Sequence, residues 1–119
     1  MREGVSDQPT GIKVVLVTVP DPDQGLRLAR RIVKERLAAC ANVIPEVSSV
    51  YRWDGAIQED AEVLVLFKTT DTALEALKER VLELHGYEVP EFVALSVVGG
   101  YEPYLRWVVG EVMNPQGVE

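Results

Sequence analysis

Two residues of this chain could carry metal or nucleophilic chemistry: the single cysteine, Cys40, and the single histidine, His85. Thiolates and imidazoles bind transition metal ions, and together they form the nucleophile–base pair of cysteine-dependent enzymes. His85 lies in the segment LHGYEVPE, where Glu88 and Glu91 add two carboxylates nearby. The pattern therefore raises two hypotheses: a metal ion held by these four residues, and a catalytic pair formed by Cys40 and His85.

Both residues also have an ordinary structural interpretation. A lone cysteine in a small domain is usually a small apolar side chain of the core. A histidine followed by glycine is typical of a helix end, with Gly86 expected to supply the left-handed turn. Zinc takes four ligands and copper(II) prefers nitrogen and oxygen donors, so one histidine per chain is a sparse set. The structural interpretation is the commoner one, and the sequence leaves the others open.

The segments that must position these residues begin with a strand and a helix. IKVVLVTV, residues 12–19, is a continuous apolar run and predicts a strand buried on both faces. In PDPDQG, Asp21 is a helix cap and Pro22 suits the first helical position, so a helix is predicted to run to about Ala39. Its apolar stripe is predicted from the spacing of Leu26, Ala29, Val33 and Leu37.

A long hairpin follows at residues 43–69. Asp54-Gly55 is a strong signal for a tight type I′ turn, and Pro45 predicts a bulge or an edge because it cannot donate to a strand ladder. Strands of ordinary length have about 5–6 residues, so this hairpin is expected to overhang its sheet. Tyr51 and Trp53 lie near its far end, and exposed aromatics on such an edge invite pairing with another copy of the chain. The alternative is a bent hairpin that folds back on its own sheet.

The remaining elements complete a familiar order. TTDTALEALKERVLELHG predicts a second helix, EFVALSVV a fourth strand, and PYLRWVVGEV a last helix that starts at Pro103. The resulting β-α-β-β-α-β order predicts an α+β, ferredoxin-like sandwich with an extra C-terminal helix. The two helix ends that carry Cys40 and His85 could then meet at one rim. We predict one domain at residues 11–113, with terminal tails at 1–10 and 114–119.

Composition excludes several function classes. The formal net charge of −7 argues against nucleic-acid binding, although five of the twelve basic residues cluster in the first predicted helix. No apolar run is long enough to span a membrane, and the start MREGVSDQPTG has no apolar signal region. One cysteine excludes an internal disulfide framework. We therefore expect a cytoplasmic protein without a membrane or nucleic-acid partner.

The loop PDPDQG narrows the uses of this architecture. It holds no cysteine, so the paired thiolates of a copper chaperone are missing, and its two aspartates would repel a phosphate. The first strand is aliphatic and lacks the stacking aromatics of an RNA-recognition sheet.

Several motifs together resemble the CutA family of divalent-cation-tolerance proteins. They are VTVPD, ERLAACANVIP, SSVYRWDGAIQED, LFKTT, LHGYEVPEF and YLRWV, and they cover residues 12–112 in order. The resemblance implies a ferredoxin-like homotrimer joined through the central hairpin, similar in architecture to the nitrogen-regulatory PII proteins. It also implies a role in tolerance to copper and other divalent ions, with no defined enzymatic activity and no tightly bound cofactor.

Carried over residue by residue, the resemblance places Cys40 and His85 at the family's proposed metal-binding positions. Further cysteine and histidine positions of some members are Val17 and Leu84 here, so the set is incomplete. It also suggests an inter-subunit groove lined by Tyr51, Trp53, Lys68, Tyr87, Glu91, Tyr104 and Trp107. Interface packing with a Lys68–Glu91 ion pair is one interpretation of that groove. The other is a PII-like module that holds a small anionic ligand near Lys68.

Overall fold

A computed structural model describes residues 10–114, and the predicted tail residues 1–9 and 115–119 lie outside the described part. The elements in chain order are β1 (Ile12–Val19), α1 (Pro22–Lys34), β2 (Cys40–Trp53), β3 (Ala56–Thr70), α2 (Asp71–Leu84), β4 (Val93–Ser96) and α3 (Glu102–Glu111). The strands form one antiparallel sheet in the order β2-β3-β1-β4. The predicted α+β, ferredoxin-like fold is thus confirmed, including the additional helix after β4.

One face of the sheet is covered by α1 and α2. Alternate residues of the two central strands point to this face because side chains of a strand alternate between its two sides. Val15, Val17, Val63, Val65 and Phe67 are each at most 1% exposed and pack against the helices. This close-packed layer holds most of the core and fixes where the loops at both ends of the sheet must lie.

Helix α1 is shorter than predicted, and its buried stripe differs. It ends at Lys34 because Arg36 adopts a left-handed backbone conformation, with φ of 62°, so the expected extension to Ala39 is wrong. The buried residues of α1 are Gly25, Leu28, Ala29 and Ile32. Leu26 and Val33, predicted in the stripe, are partly exposed, whereas Leu37 is buried from the turn that follows the helix.

The central hairpin has the predicted turn and the predicted irregularity. Asp54 and Gly55 have φ values of 55° and 80°, as a type I′ turn requires. The pairing of β2 with β3 shifts between Ile44 and Val47, which places a bulge at Pro45. The arms have 14 and 15 residues, whereas β1 pairs with β3 only as far as Val63. The rest of the hairpin therefore projects beyond the sheet.

The C-terminal helix closes the end of the sheet where β1 begins. Val108 and Val112 pack with Ile12, Ala39 and Ala73 in a second, smaller core. The Arg36 guanidinium donates to the carbonyl oxygens of Gly110 and Glu111, at 3.1 and 3.0 Å. A cation at the C-terminus of a helix suits its dipole, so Arg36 both ends α1 and anchors α3. Strand β4 is only four residues long, shorter than the predicted run of 91–98.

The opposite face of the sheet remains partly exposed, and we call it the open face. Strand alternation and the pairing register place seven apolar side chains there: Val14, Leu16, Ile44, Leu64, Leu66, Val93 and Leu95. Ile44, Val93 and Leu95 are 37%, 46% and 51% exposed. A contiguous apolar surface of this kind is unusual for a chain that works alone.

Candidate functional site

His85 ends α2 in an extended conformation, with φ of −87° and ψ of 142°. Its Nε2 lies 2.6 Å from the carbonyl oxygen of Thr18, and its Nδ1 accepts a hydrogen bond of 3.1 Å from the backbone N–H of Tyr87. The ring therefore joins the end of β1 to the exit of α2. The expected left-handed turn at Gly86 is wrong, because His85 itself leaves the helix and only Gly11 and Gly55 have positive φ among the described glycines.

These two hydrogen bonds define the state of the imidazole. A carbonyl oxygen needs a donor, so Nε2 carries the proton, and a backbone N–H needs an acceptor, so Nδ1 offers its lone pair. A metal ion binds an imidazole nitrogen through that lone pair. His85 would therefore have to give up one of its two contacts before it could bind a metal.

Cys40 is the first residue of β2 and lies opposite Lys68 of β3. Its side chain is half-buried, and its Sγ lies 3.9 Å from Oδ1 of Asn42. The same oxygen accepts a 2.7 Å hydrogen bond from Nζ of Lys68. The three side chains share the open face of the sheet, so Cys40 is not the core cysteine of the structural interpretation.

Cys40 and His85 lie at opposite ends of the sheet. The partner of Cys40, Lys68, pairs with Val14 of β1, whereas His85 contacts Thr18 at the other end of that strand. Four residues of an antiparallel strand span about 13 Å. The expectation that the helix ends carrying Cys40 and His85 meet at one rim is wrong. Helix α2 runs from one end of the sheet to the other, and His85 follows its last residue. Within one chain the two residues do not form a catalytic pair.

The carboxylates near His85 do not complete a metal site either. Glu88 and Glu91 are both exposed in the loop between α2 and β4. No group of three or more histidine, cysteine, aspartate or glutamate side chains within residues 10–114 is arranged to hold a metal ion. The four predicted ligands are thus dispersed in the single chain.

Two tyrosine–carboxylate pairs mark the base of the projecting hairpin. The hydroxyl of Tyr87 donates to Glu62 at 2.8 Å, and that of Tyr51 donates to Asp60. Burial, followed by the hydrogen bond to Glu62, raises the pKa of Tyr87, and the hydrogen bond to Asp60 raises that of Tyr51. Glu91 is exposed overall, but partial desolvation of its carboxylate, followed by the nearby charge of Glu62, raises its pKa. This cluster brings together Tyr51, Tyr87 and Glu91 of the predicted groove.

Sequence reasoning missed Asp60 and Glu62, although a signal for both was present. Counting back from the Asp54-Gly55 turn pairs Tyr51 with Gln58 and Ser49 with Asp60. Asp60 and Glu62 then share one face of the hairpin with Tyr51, because side chains two residues apart lie on the same side of a strand.

The other predicted groove residues lie apart from this cluster. Trp53 is at the hairpin tip and is 49% exposed. Tyr104 and Trp107 lie together on α3, with ring centroids 5.5 Å apart and with more than two-fifths of each side chain exposed. Lys68 is at the α3 end of the sheet and donates to Asn42, so the Lys68–Glu91 ion pair is not formed within the described chain. One chain therefore carries the groove residues in two separate groups.

The fold and these surfaces define a ferredoxin-like α+β protein with a projecting hairpin, a partly exposed apolar sheet face and functional candidates at both ends of the sheet. The chain belongs to the CutA1 divalent ion tolerance protein family, whose model matches residues 13–111. It is 50% identical over 96 residues to the divalent-cation tolerance protein CutA of Thermus thermophilus, and the match covers 81% of this chain and 93% of that protein. The resemblance found in the sequence motifs is confirmed.

Eukaryotic relatives are longer than the matched region. The chain is 46% identical to the chloroplastic CutA protein of Arabidopsis thaliana over 85% of its own length, and the match spans 56% of that protein. The same share, 56%, applies to CutA of Homo sapiens, at 44% identity. The chain thus spans a little over half the length of these two relatives.

Solved structures of the family have the same fold. The Thermus thermophilus Cut A1 protein superposes with a TM-score of 0.84 at 47% identity, and covers 86% of this chain and 99% of its own. CutA1 of Oryza sativa superposes with a TM-score of 0.83 at 44% identity, over 92% and 96%. The printed names of the Thermus thermophilus protein refer to tolerance of divalent cations. Within residues 10–114, no helix is long and apolar enough to cross a membrane.

Proposed function

We propose that the chain is a cytoplasmic, homotrimeric CutA protein that acts in the response to divalent metal ions, and that it binds copper weakly at the boundaries between subunits. The observation that carries this proposal is the open face. Seven apolar side chains of a four-stranded sheet are left without a complete cover in the single chain. Burial of apolar surface stabilises by about 25 cal/mol per Å², so association of such faces is favourable.

The projecting hairpin supports the same assembly. Its arms extend beyond β1, and strand β2 is an outer strand of the sheet with an unpaired edge. Unpaired edges of long strands recruit a strand from another chain unless they are covered. In a closed ring, each hairpin would pair with the sheet of its neighbour, which also brings the two separate groups of groove residues face to face across a boundary.

The metal ion is proposed to lie between subunits because the candidate donors are dispersed within one chain. Cys40, His85, Glu88 and Glu91 remain the candidate ligands, and a symmetric trimer supplies three copies of each. Donors from two subunits are needed because one chain offers no cluster of three among its described residues. The contacts of His85 to Thr18 and Tyr87 must open for binding, which favours weak affinity.

Titration with copper(II) tests this proposal against matched variants. We expect Cys40→Ser and His85→Gln each to weaken binding to the trimer, and the pair Glu88→Gln and Glu91→Gln to weaken it further. Glu79→Gln is the control, because Glu79 is an exposed carboxylate of α2 outside the candidate set. Sedimentation velocity reports the oligomeric state of each sample. Identical binding in all variants would refute the ligand set, and a monomeric wild type would refute the assembly.

A second candidate is the PII-like module that holds a small anion near Lys68. Lys68 donates to the neutral amide of Asn42 and has no carboxylate partner among the described residues, so its charge is uncompensated on the open face. Inorganic phosphate is the probe, followed by NMR shifts of the trimer. Weaker binding in Lys68→Ala than in the exposed control Lys34→Ala would favour this function, and equal binding would exclude it.

A further inference from the structure

A cleft of about 200 Å³ lies on the helical side of the molecule, between one side of α1 and the exit of α2. We call it the α1–α2 cleft. Its lining residues are Val19, Gln24, Arg27, Leu28, Arg31, Leu84, His85 and Gly86. Because α1 and α2 cover the face opposite to the open face, assembly through the open face leaves this cleft accessible.

The polar part of the lining is cationic. Arg27 and Arg31 are four residues apart on α1, so both side chains lie on one side of the helix. None of the carboxylates within residues 10–114 lines the cleft, although the chain as a whole has a formal net charge of −7. A positively charged recess in an acidic protein concentrates small anions.

The two arginines keep binding capacity beyond their own partners. Arg31 uses Nε for a 2.7 Å ion pair with Glu35, and its two terminal nitrogens have no recorded partner among the described residues, so they are open to a ligand. Glu35 also accepts two hydrogen bonds from Arg80, at 2.9 and 3.0 Å, so its charge is shared between two guanidinium groups. Asp21 near the helix start is satisfied by Gln24, whose two hydrogen bonds are the main cause of its lowered pKa, and Arg27 contributes only through its charge.

The remaining lining is apolar or already satisfied. Val19, Leu28 and Leu84 supply an aliphatic wall. The imidazole of His85 has both nitrogens engaged, so it presents ring surface and no free donor to the cleft. A ligand would therefore meet charge at one side, from the arginines, and apolar surface at the other.

The size of the cleft limits the ligand. One water needs about 10–15 Å³ of such space, and drug-sized or nucleotide ligands occupy pockets of about 300–1,000 Å³. A cleft of about 200 Å³ accommodates a small molecule only. Guanidinium groups bind carboxylates and phosphates through paired hydrogen bonds, which fixes the class of anion.

We infer that the α1–α2 cleft binds a small organic oxyanion, with its carboxylate or phosphate on Arg27 and Arg31 and its short apolar group against Val19, Leu28 and Leu84. The site shares only its wall residue His85 with the candidate metal ligands, and it lies apart from Lys68. It requires neither copper nor the PII-like function, so it can hold if either of those proposals fails.

The test is an NMR titration of the full chain with phenyl phosphate and with benzoate as the two oxyanions. Benzyl alcohol provides the apolar group without the charge, and inorganic phosphate provides the charge without the apolar group. We expect shifts in residues 24–31 and 84–87 with at least one oxyanion, and weaker ones with both controls. The oxyanion that binds with the higher affinity identifies the anion class.

Variants on α1 locate the charge contacts. Losing one charge-assisted hydrogen-bonded partner weakens binding about tenfold, so Arg27→Ala and Arg31→Ala are each expected to do so. Arg30→Ala is the matched control, because Arg30 is exposed on the same helix and does not line the cleft. Unchanged binding in the Arg27→Ala, Arg31→Ala double variant, shifts centred elsewhere, or no binding at about 10 mM would each overturn the inference.

Discussion

The two faces of the sheet differ in how completely this chain finishes them. On the face covered by α1 and α2, Val15, Val65 and Phe67 have no exposed surface at all. On the open face, Val93 and Leu95 come from the same sheet and are about half exposed. The apolar content of the two faces is similar, so the difference arises from what packs on them.

The two faces serve different requirements: one stabilises the folded chain, and the other offers a surface for contact. The covered face stabilises the fold of a single chain, because both helices pack on the central strands β1 and β3. The open face leaves an apolar surface that the proposed assembly would cover with another copy of the chain. The candidate ligands and aromatics lie along that second surface and at its two ends, so in the proposed assembly a neighbouring subunit would complete their grouping.

The largest expected effect is on the covered face. Phe67→Ala removes a fully buried ring and is expected to lower the free energy of unfolding by about 3–5 kcal/mol, measured by chemical denaturation at fixed protein concentration. Leu82→Ala on the outer side of α2, at 46% exposure, is the control and should change it by less than about 0.5 kcal/mol. A loss from Phe67→Ala as small as that of the control would remove the distinction between a packed face and an incomplete one.

The next effect concerns the open face. Leu95→Asp places a charge in the middle of the proposed subunit contact, and we expect self-association to weaken by about a hundredfold or more, since an unpaired buried charge is strongly unfavourable. Sedimentation velocity over a concentration series measures the change. Leu82→Asp on the outer side of α2 makes the same substitution at 46% exposure and should leave association unchanged. Equal behaviour of the two variants would place the contact elsewhere.

Glycine substitutions give a smaller and more local comparison. A Cβ at Gly25 would lie 3.1 Å from Cγ1 of Val63 on the covered face, so Gly25→Ala is expected to cost about 1 kcal/mol or more despite the better helix propensity of alanine. Gly110 of α3 has no atom within 4 Å of such a Cβ, and Gly110→Ala should stabilise by about 0.5–1 kcal/mol. Thermal unfolding compares the two. A stabilising effect of Gly25→Ala would show that α1 is not closely packed on the sheet.

The smallest expected effect is the pH dependence from Glu91. Its folded-state pKa is raised by burial and by the charge of Glu62, so the folded protein holds this proton more tightly than the unfolded chain does. Stability is therefore lost as pH rises from the ordinary value of 4.5 through the raised value.

Glu91→Gln removes that loss. The variant should gain stability relative to the wild type as pH rises from about 4 to 7, measured by denaturation at each pH. Glu88→Gln, in the same exposed loop, is the control. A difference between Glu91→Gln and the wild type that does not vary with pH would show that the pKa of Glu91 is not raised in the folded protein.

Prediction from the sequence succeeded where the pattern is local. The element order, the type I′ turn at Asp54-Gly55 and the bulge at Pro45 follow from short stretches of backbone chemistry. It failed where packing decides, as at the end of α1, because the left-handed turn at Arg36 is held by hydrogen bonds to Gly110 and Glu111, which are more than 70 residues away in the chain. Asp60 and Glu62 could have been predicted by counting the hairpin register back from the Asp54-Gly55 turn.

The sequence by itself determined the family, the fold class and the inventory of reactive groups, because motif spacing and hydrophobic periodicity are properties of the linear chain. Only the tertiary structure decided what those groups can do. It set Cys40 and His85 at opposite ends of the sheet and engaged both nitrogens of His85. It also placed Arg27 and Arg31 in one cleft with the apolar side chains of Val19 and Leu84, which come from β1 and α2. The physical reason is that chemistry depends on distances across the fold, and these follow from strand register and helix packing.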